Sequence, residues 1–210
     1  MMEELEIFPS RLLKGHDPLL DDYKEDLVDY LYDFSSKNES SSRSSLGGWQ
    51  SNRFMHYEEG FQPFGDRMRK ALLPYLLKLM DDTEEFSGSR SVLEFYNVWF
   101  NINGTNASNR LHTHPHSIYS GVMWIKAPEN CGNLVMVDPS AHNMFGIVPT
   151  EYEFEPVEGD IILFPSHVPH YVKPNNSDED RISLSFNIIL LPTPYNYEPP
   201  DEEGSPNLGE

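Results

Sequence analysis

One cysteine, Cys131, is all that a chain of 210 residues contains. No intramolecular disulfide can form, and a thiolate-rich structural zinc site is excluded with it. Positive charge is scarce too: 15 Lys and Arg stand against 34 Asp and Glu, a net charge of −19. That balance repels phosphate backbones and disfavours nucleic acid as a partner. No apolar run approaches the ~20 residues that span a bilayer. The opening MMEELEIFPS lacks the basic start and apolar stretch of a signal peptide. No internal repeat is visible. These absences point to one globular domain in a reducing cytoplasm, without a membrane segment. A 38% hydrophobic and 12% aromatic share is enough for a core.

What is present divides near residue 91. Residues 17–34, DPLLDDYKEDLVDYLYDF, predict a helix capped by Asp17, with Leu20, Tyr23, Leu27, Leu31 and Phe34 on one face. Residues 35–48 are a serine-rich loop, expected to be mobile unless something orders it, and GGWQS follows at 47–51. Residues 64–82 predict a second helix that must kink or restart at Pro74. From 91 onward, short aromatic and β-branched runs alternate with Gly, Pro, Asn and Asp: 91–102, 118–126, 133–137, 151–155, 160–164, 168–173 and 181–191. Such spacing predicts a β-sandwich or barrel, not βαβ units. The acidic, proline-rich 193–210 reads as a disordered tail, leaving 1–192 as the domain, helical in 1–90 and β in 91–192.

Six of the eight histidines fall between residues 112 and 170. His112 and His114 are two apart, so a strand would present both on one face to a single ion. His116 shares that face only if the strand continues through Pro115. A remote partner is expected from GDIILFPSHVPHYVKP, as His170 or His167. Two near ligands and one remote one suit a catalytic metal with open positions. The alternative is a polar turn whose histidines merely hydrogen-bond. Arg181 opens the apolar run RISLSFN, the only Arg or Lys from 181 to 191. It must find an anion or reach water. It is either a surface charge answering Asp178, Glu179 and Asp180 or a fork for a carboxylate, with Ser183 on the same face.

In their order, GGWQS, WFNINGTNASNRLHTHPHSIYSGVMWI, GNLVMVDP, EGDIILFPSHVPHYVKPN and RISLSFN resemble the 2-oxoglutarate/Fe(II) oxygenases of marine bacteria and cyanophages. The likeness runs from about residue 5 to about residue 190. It implies a mainly β (α+β) fold: a double-stranded β-helix, jelly-roll or cupin-like, with the N-terminal helices packed on it. The recurring HxHPxSxxSG and LFPSxxxHxV patterns map onto His112, His114 and His170 as Fe(II) ligands, and leave His116, His167 and His142 aside. Arg181 and Ser183 become the anchor for 2-oxoglutarate. Asn101, Asn187 and Tyr119 join as cosubstrate-binding candidates, with a core aromatic as the plainer role for Tyr119. Trp49 and Gln50 are candidates for a lid.

The implied reaction consumes O2, hydroxylates a C–H bond of a small molecule or protein, and releases succinate and CO2. One feature departs from the wider superfamily. His114 stands where a carboxylate is usual, and Asp138 is the nearest substitute. Three readings compete: a three-histidine cupin-type dioxygenase that does not use 2-oxoglutarate, a non-catalytic metal-binding β-sandwich, and a structural domain whose histidines bond to backbone.

Overall fold

The computed structural model describes residues 10–41, 43–81, 91–139 and 150–192. His142 and the tail 193–210 lie outside them. In chain order the elements are β1 (Leu13–His16), α1 (Lys24–Lys37), β2 (Ser45–Leu46), β3 (Trp49–Gln50), α2 (Gln62–Asp81), β4 (Ser91–Asn103), β5 (Ser108–His112), β6 (Tyr119–Lys126), β7 (Leu134–Val137), β8 (Glu151–Phe154), β9 (Asp160–Pro165), β10 (His170–Val172) and β11 (Arg181–Pro192). A six-stranded sheet, ordered β1-β9-β6-β11-β4-β3, and a five-stranded one, β2-β5-β10-β7-β8, make the two sheets of the double-stranded β-helix.

Alternation along the strands divides the interior into two layers. In β11, Ile182, Leu184, Phe186 and Ile188 join the cluster that holds Leu27 and Leu31 of α1 and Met68 and Leu72 of α2. The intervening Arg181, Ser183 and Ser185 line a cleft on the other face. The neighbouring β4 repeats the rule: Val98, Phe100 and Ile102 meet the helices, while Trp99 and Asn101 line that cleft. A second apolar cluster of Trp124, Leu134, Met136, Ile162, Phe164 and Val168 fills part of the space between the sheets.

The first helix starts later than its sequence predicts. Asp17 Oδ1 accepts the Leu19 N–H and Asp17 Oδ2 accepts the Tyr23 hydroxyl. The aspartate therefore makes an Asx turn ahead of a 3-10 turn, Leu20–Asp22, and α1 begins at Lys24. The second helix runs through Pro74. Pro74 is exposed, so water can serve the carbonyl that its ring leaves without a donor.

The serine-rich loop is tied down. Ser41 N–H donates to Gln50 O at 2.9 Å, Gln50 N–H to Ser40 Oγ at 3.0 Å, and Trp49 Nε1 to Asn38 O at 3.0 Å. β2 pairs with β5 and β3 with β4, so this segment edges both sheets. Trp49 is no lid: its ring packs on Phe34 and Phe100, on the helix side. Strands of two residues leave no periodic trace, which is why composition reads the segment as a loop.

His56 provides a test of the helical layer. Its ring lies tilted against Tyr57, centres 4.0 Å apart, and neither ring nitrogen has a partner among the described residues. Burial, with the Arg69 charge second, lowers its pKa to about 4. The folded value lies below the unfolded value of about 6.5, so protonation favours the unfolded chain. The stability that the neutral ring contributes is complete above that unfolded value and is lost as pH falls toward 4. The urea midpoint of wild type should therefore drop across this window, and that of His56→Phe should drop less. Equal drops would remove His56 from the account.

Candidate active site

β5 and β10 lie antiparallel with His112 opposite His170. Residues so paired carry neighbouring side chains, so the register alone brings two distant histidines together. His114 arrives differently. β5 ends at His112, and His114 sits in the turn beyond it, its N–H donating to Ser166 O at 3.0 Å. The sequence expectation of one strand carrying both histidines is corrected here: a corner clamp to the FPS segment, not strand alternation, places His114.

The three rings offer one nitrogen each within a group whose atoms all lie within 4.8 Å of one another. Nε2 of His114 is 3.1 Å from Nε2 of His170. His112 Nδ1 lies 2.7 Å from Arg110 O and His170 Nδ1 lies 3.0 Å from Val168 O. A carbonyl can only accept, so each of these rings carries its proton on Nδ1 and presents a bare Nε2 to the centre. Burial lowers the pKa of all three, His170 to about 4, with the other rings' charges adding to the effect at His114 and His170. Neutral imidazoles converging on one point are the donor set that a divalent cation takes. Trp99 lies against His114, ring centres 5.4 Å apart, and Phe164 meets His170 edge-on at 4.7 Å.

Asp138 is exposed and outside this group, and among the described residues no carboxylate joins it. His167 is exposed and also outside it. His116 is exposed, has φ 69° and lines an outer chamber.

Arg181 faces the same cleft as the histidines and is 1% exposed. It is not a surface charge answering the preceding acids. Its Nη1 donates to the carbonyls of Cys131 and Gly132, the latter at 3.0 Å. Its Nη2 is buried without a partner. Burial lowers its pKa to about 10, which leaves it charged at neutral pH. Cys131, the single cysteine, thus supplies half of the cradle through its backbone. Gly132 is required there: its φ is +90°, and a Cβ would stand 2.3 Å from Lys173 O. A buried guanidinium with one edge fixed and one edge vacant is a receptor for an anion.

Ser183 and Asn101 line this cleft, and Asn101 Oδ1 is a second buried atom with no partner. Asn187 is already served: its Nδ2 donates to Asn97 at 3.3 Å and its Oδ1 accepts from Ser120 at 2.8 Å. It belongs to the outer chamber rather than the cleft. Tyr119 packs with the helix-side cluster, so the structure does not bring it to the cleft. Sequence reasoning missed Trp99 and the Cys131–Gly132 cradle. The glycine in NCGN is the one signal that could have pointed to the cradle.

Comparison with known proteins bears on the family and the fold. Residues 97–187, a little under half of the chain, match a family model described as 2OG-Fe(II) oxygenase. No curated protein matches the chain. Among solved structures, a Pseudomonas putida prolyl-4-hydroxylase is similar with a TM-score of 0.56 and 20% identity, covering 85% of this chain and 91% of that one. A Trichoplax adhaerens prolyl hydroxylase, solved with a hypoxia inducible factor peptide fragment, gives 0.61 and 12%, covering 85% and 83%. HygX of Streptomyces hygroscopicus, solved with nickel and 2-oxoglutarate, gives 0.59 and 12%, covering 89% and 84%. At these identities the likeness establishes the shared double-stranded β-helix. Family model, barrel and histidine group agree on an oxidoreductase, and the donor set fits the Fe(II) and 2-oxoglutarate named by that model.

Proposed function

We propose that this chain hydroxylates a C–H bond of its substrate while 2-oxoglutarate is converted to succinate and CO2. The observation that carries the proposal is the vacant, buried Nη2 of Arg181 facing the same cleft as the three histidines. Iron and 2-oxoglutarate supply the oxidising chemistry when bound. His112, His114 and His170 would hold the metal through their inward nitrogens, the Nδ1 bonds of His112 and His170 fixing two of the rings. Three ligands leave positions open for cosubstrate and O2. Arg181 would pair with the far carboxylate of 2-oxoglutarate, and Ser183 and Asn101 would add hydrogen bonds from the same wall. Trp99, Trp124 and Phe164 line the cleft and would keep water from it.

In this reading residues 1–192 are one catalytic domain. A bacterial or phage-infected cytoplasm is its setting, on the strength of the single cysteine and the family resemblance. The occupation of the carboxylate position by His114 favours one competing reading, a three-histidine dioxygenase without 2-oxoglutarate.

Anaerobic titration of metal-stripped protein with Fe(II) and 2-oxoglutarate separates the two. A weak visible charge-transfer band of the chelate is expected. Fe(II) binding without that band at any 2-oxoglutarate concentration would transfer the site to the three-histidine class. No metal binding would end both readings.

A further inference from the structure

An outer chamber of about 290 Å³ adjoins the histidine cleft and shares Trp99, His112 and His114 with it. Arg43, Arg53 and Arg110 line it, and among the described residues no Asp or Glu does. In a chain with 34 acids and 15 basic residues, this is a strong local inversion of charge. Five of the seven lysines are neutralised: Lys14, Lys24, Lys37, Lys126 and Lys173 each pair with a carboxylate. The three arginines pair with none among the described residues.

Each arginine is fixed at its backbone. Arg43 N–H donates to Gln50 Oε1 at 2.8 Å, Arg53 O accepts the Val98 N–H at 2.9 Å, and Arg110 N–H donates to Ser44 O at 3.0 Å. Arg110 O also holds the His112 ring, at 2.7 Å, which ties this rim directly to the histidine group. Arg43 and Arg53 stand near enough for the charge of Arg43 to add to burial in lowering the pKa of Arg53. Two like charges held together at a cavity mouth cost free energy that an anion would return.

We infer that the substrate of this site is a small molecule bearing an oxyanion, phosphate or carboxylate, which Arg43, Arg53 and Arg110 bind while its reacting carbon faces the histidines. The inference rests on the oxygenase reading for the word substrate, and on the arginines alone for the anion. The chamber is just below the roughly 300–1,000 Å³ typical of drug-sized ligand sites, which suits a small metabolite. Arginine forks match phosphate and carboxylate oxygens in pairs, and Tyr96 and Trp99 offer aromatic walls to the rest of the molecule.

The test uses the full chain, metal-free, with 2-oxoglutarate in excess so that Arg181 is not the anion site being read. Phenyl phosphate, benzoate and benzylamine are titrated calorimetrically into wild type, Arg53→Gln and Arg110→Gln. Phenyl phosphate, benzoate or both should bind, benzylamine should not, and each variant should weaken the anion about tenfold. Which anion binds tells phosphate from carboxylate. Arg110 is exposed, so its variant reads the site even if Arg53→Gln folds poorly. Equal anion binding by wild type and Arg110→Gln, tighter binding of benzylamine, or no binding of any probe would overturn the inference. The chelate band is read separately on the same preparations loaded anaerobically with Fe(II). A band without arginine-dependent binding sinks this inference alone. Arginine-dependent binding without a band sustains the anion site and sinks the 2-oxoglutarate reading.

Discussion

His112→Ala should abolish the Fe(II)/2-oxoglutarate charge-transfer band and all turnover. His112 contributes one of three converging nitrogens. Even groups that only orient a metal's ligands are worth about 10–100-fold in affinity, so the loss of a ligand should exceed about 100-fold. Calorimetry with Fe(II) under argon measures it. The fold should survive, because the ring is only partly buried at the end of β5 and the β5–β10 pairing is made by backbone. Circular dichroism and the melting temperature should therefore match wild type. Metal affinity equal to wild type in a folded variant would show that the histidine group is structural. His167→Ala, on an exposed ring outside the group, is the control and should change neither quantity.

Arg181→Met should leave Fe(II) binding in place and raise the 2-oxoglutarate concentration needed for half-saturation by about 100-fold. Hydrogen bonds to a charged group are worth about 1.5–3 kcal/mol each, and about 2.7 kcal/mol corresponds to that factor. Arg181→Lys should recover little, because a single ammonium cannot hold the Cys131 and Gly132 carbonyls while pairing with a carboxylate. Both variants also lose stability. Methionine leaves two buried carbonyls short of a donor, at about 1–3 kcal/mol for each such group. Titrating the chelate band at fixed Fe(II) separates the binding effect from the stability effect. An unchanged 2-oxoglutarate dependence in Arg181→Met would remove this residue from cosubstrate binding and with it the main support for the proposed reaction.

Strands β4, β6, β7, β8, β9, β10 and β11 follow from hydrophobic runs bounded by turn residues, and α1 follows from its apolar stripe. Histidines crowd at a two-residue spacing and recur after a turn, which marks the cluster, while the choice of His112, His114 and His170 within it comes from the family pattern. Arg181 stands out because a charge heads an apolar strand. These are local signals, and sequence holds local signals well.

The failures were matters of parity and of contact at a distance. β6 carries apolar residues on both faces, since one face meets the helices and the other the cleft. No alternation in its sequence says which face Tyr119 takes. Asn187 and Asn101 share a cleftward parity in their strands, yet only Asn101 keeps an unpartnered oxygen, because Ser120 and Asn97 happen to reach Asn187.

Short stretches carry periodicity and residue chemistry, so a β-rich domain, two helices, a histidine cluster and a charge heading an apolar strand are all legible in the chain before it folds. Tertiary structure alone decided the rest. Register set His112 opposite His170, a corner clamp turned His114 inward, backbone carbonyls from Cys131 and Gly132 oriented Arg181, and two loop arginines met a third from β5. Each of those depends on pairing between segments tens of residues apart, where the free energy of packing the whole barrel, not the preference of any residue, fixes what stands beside what.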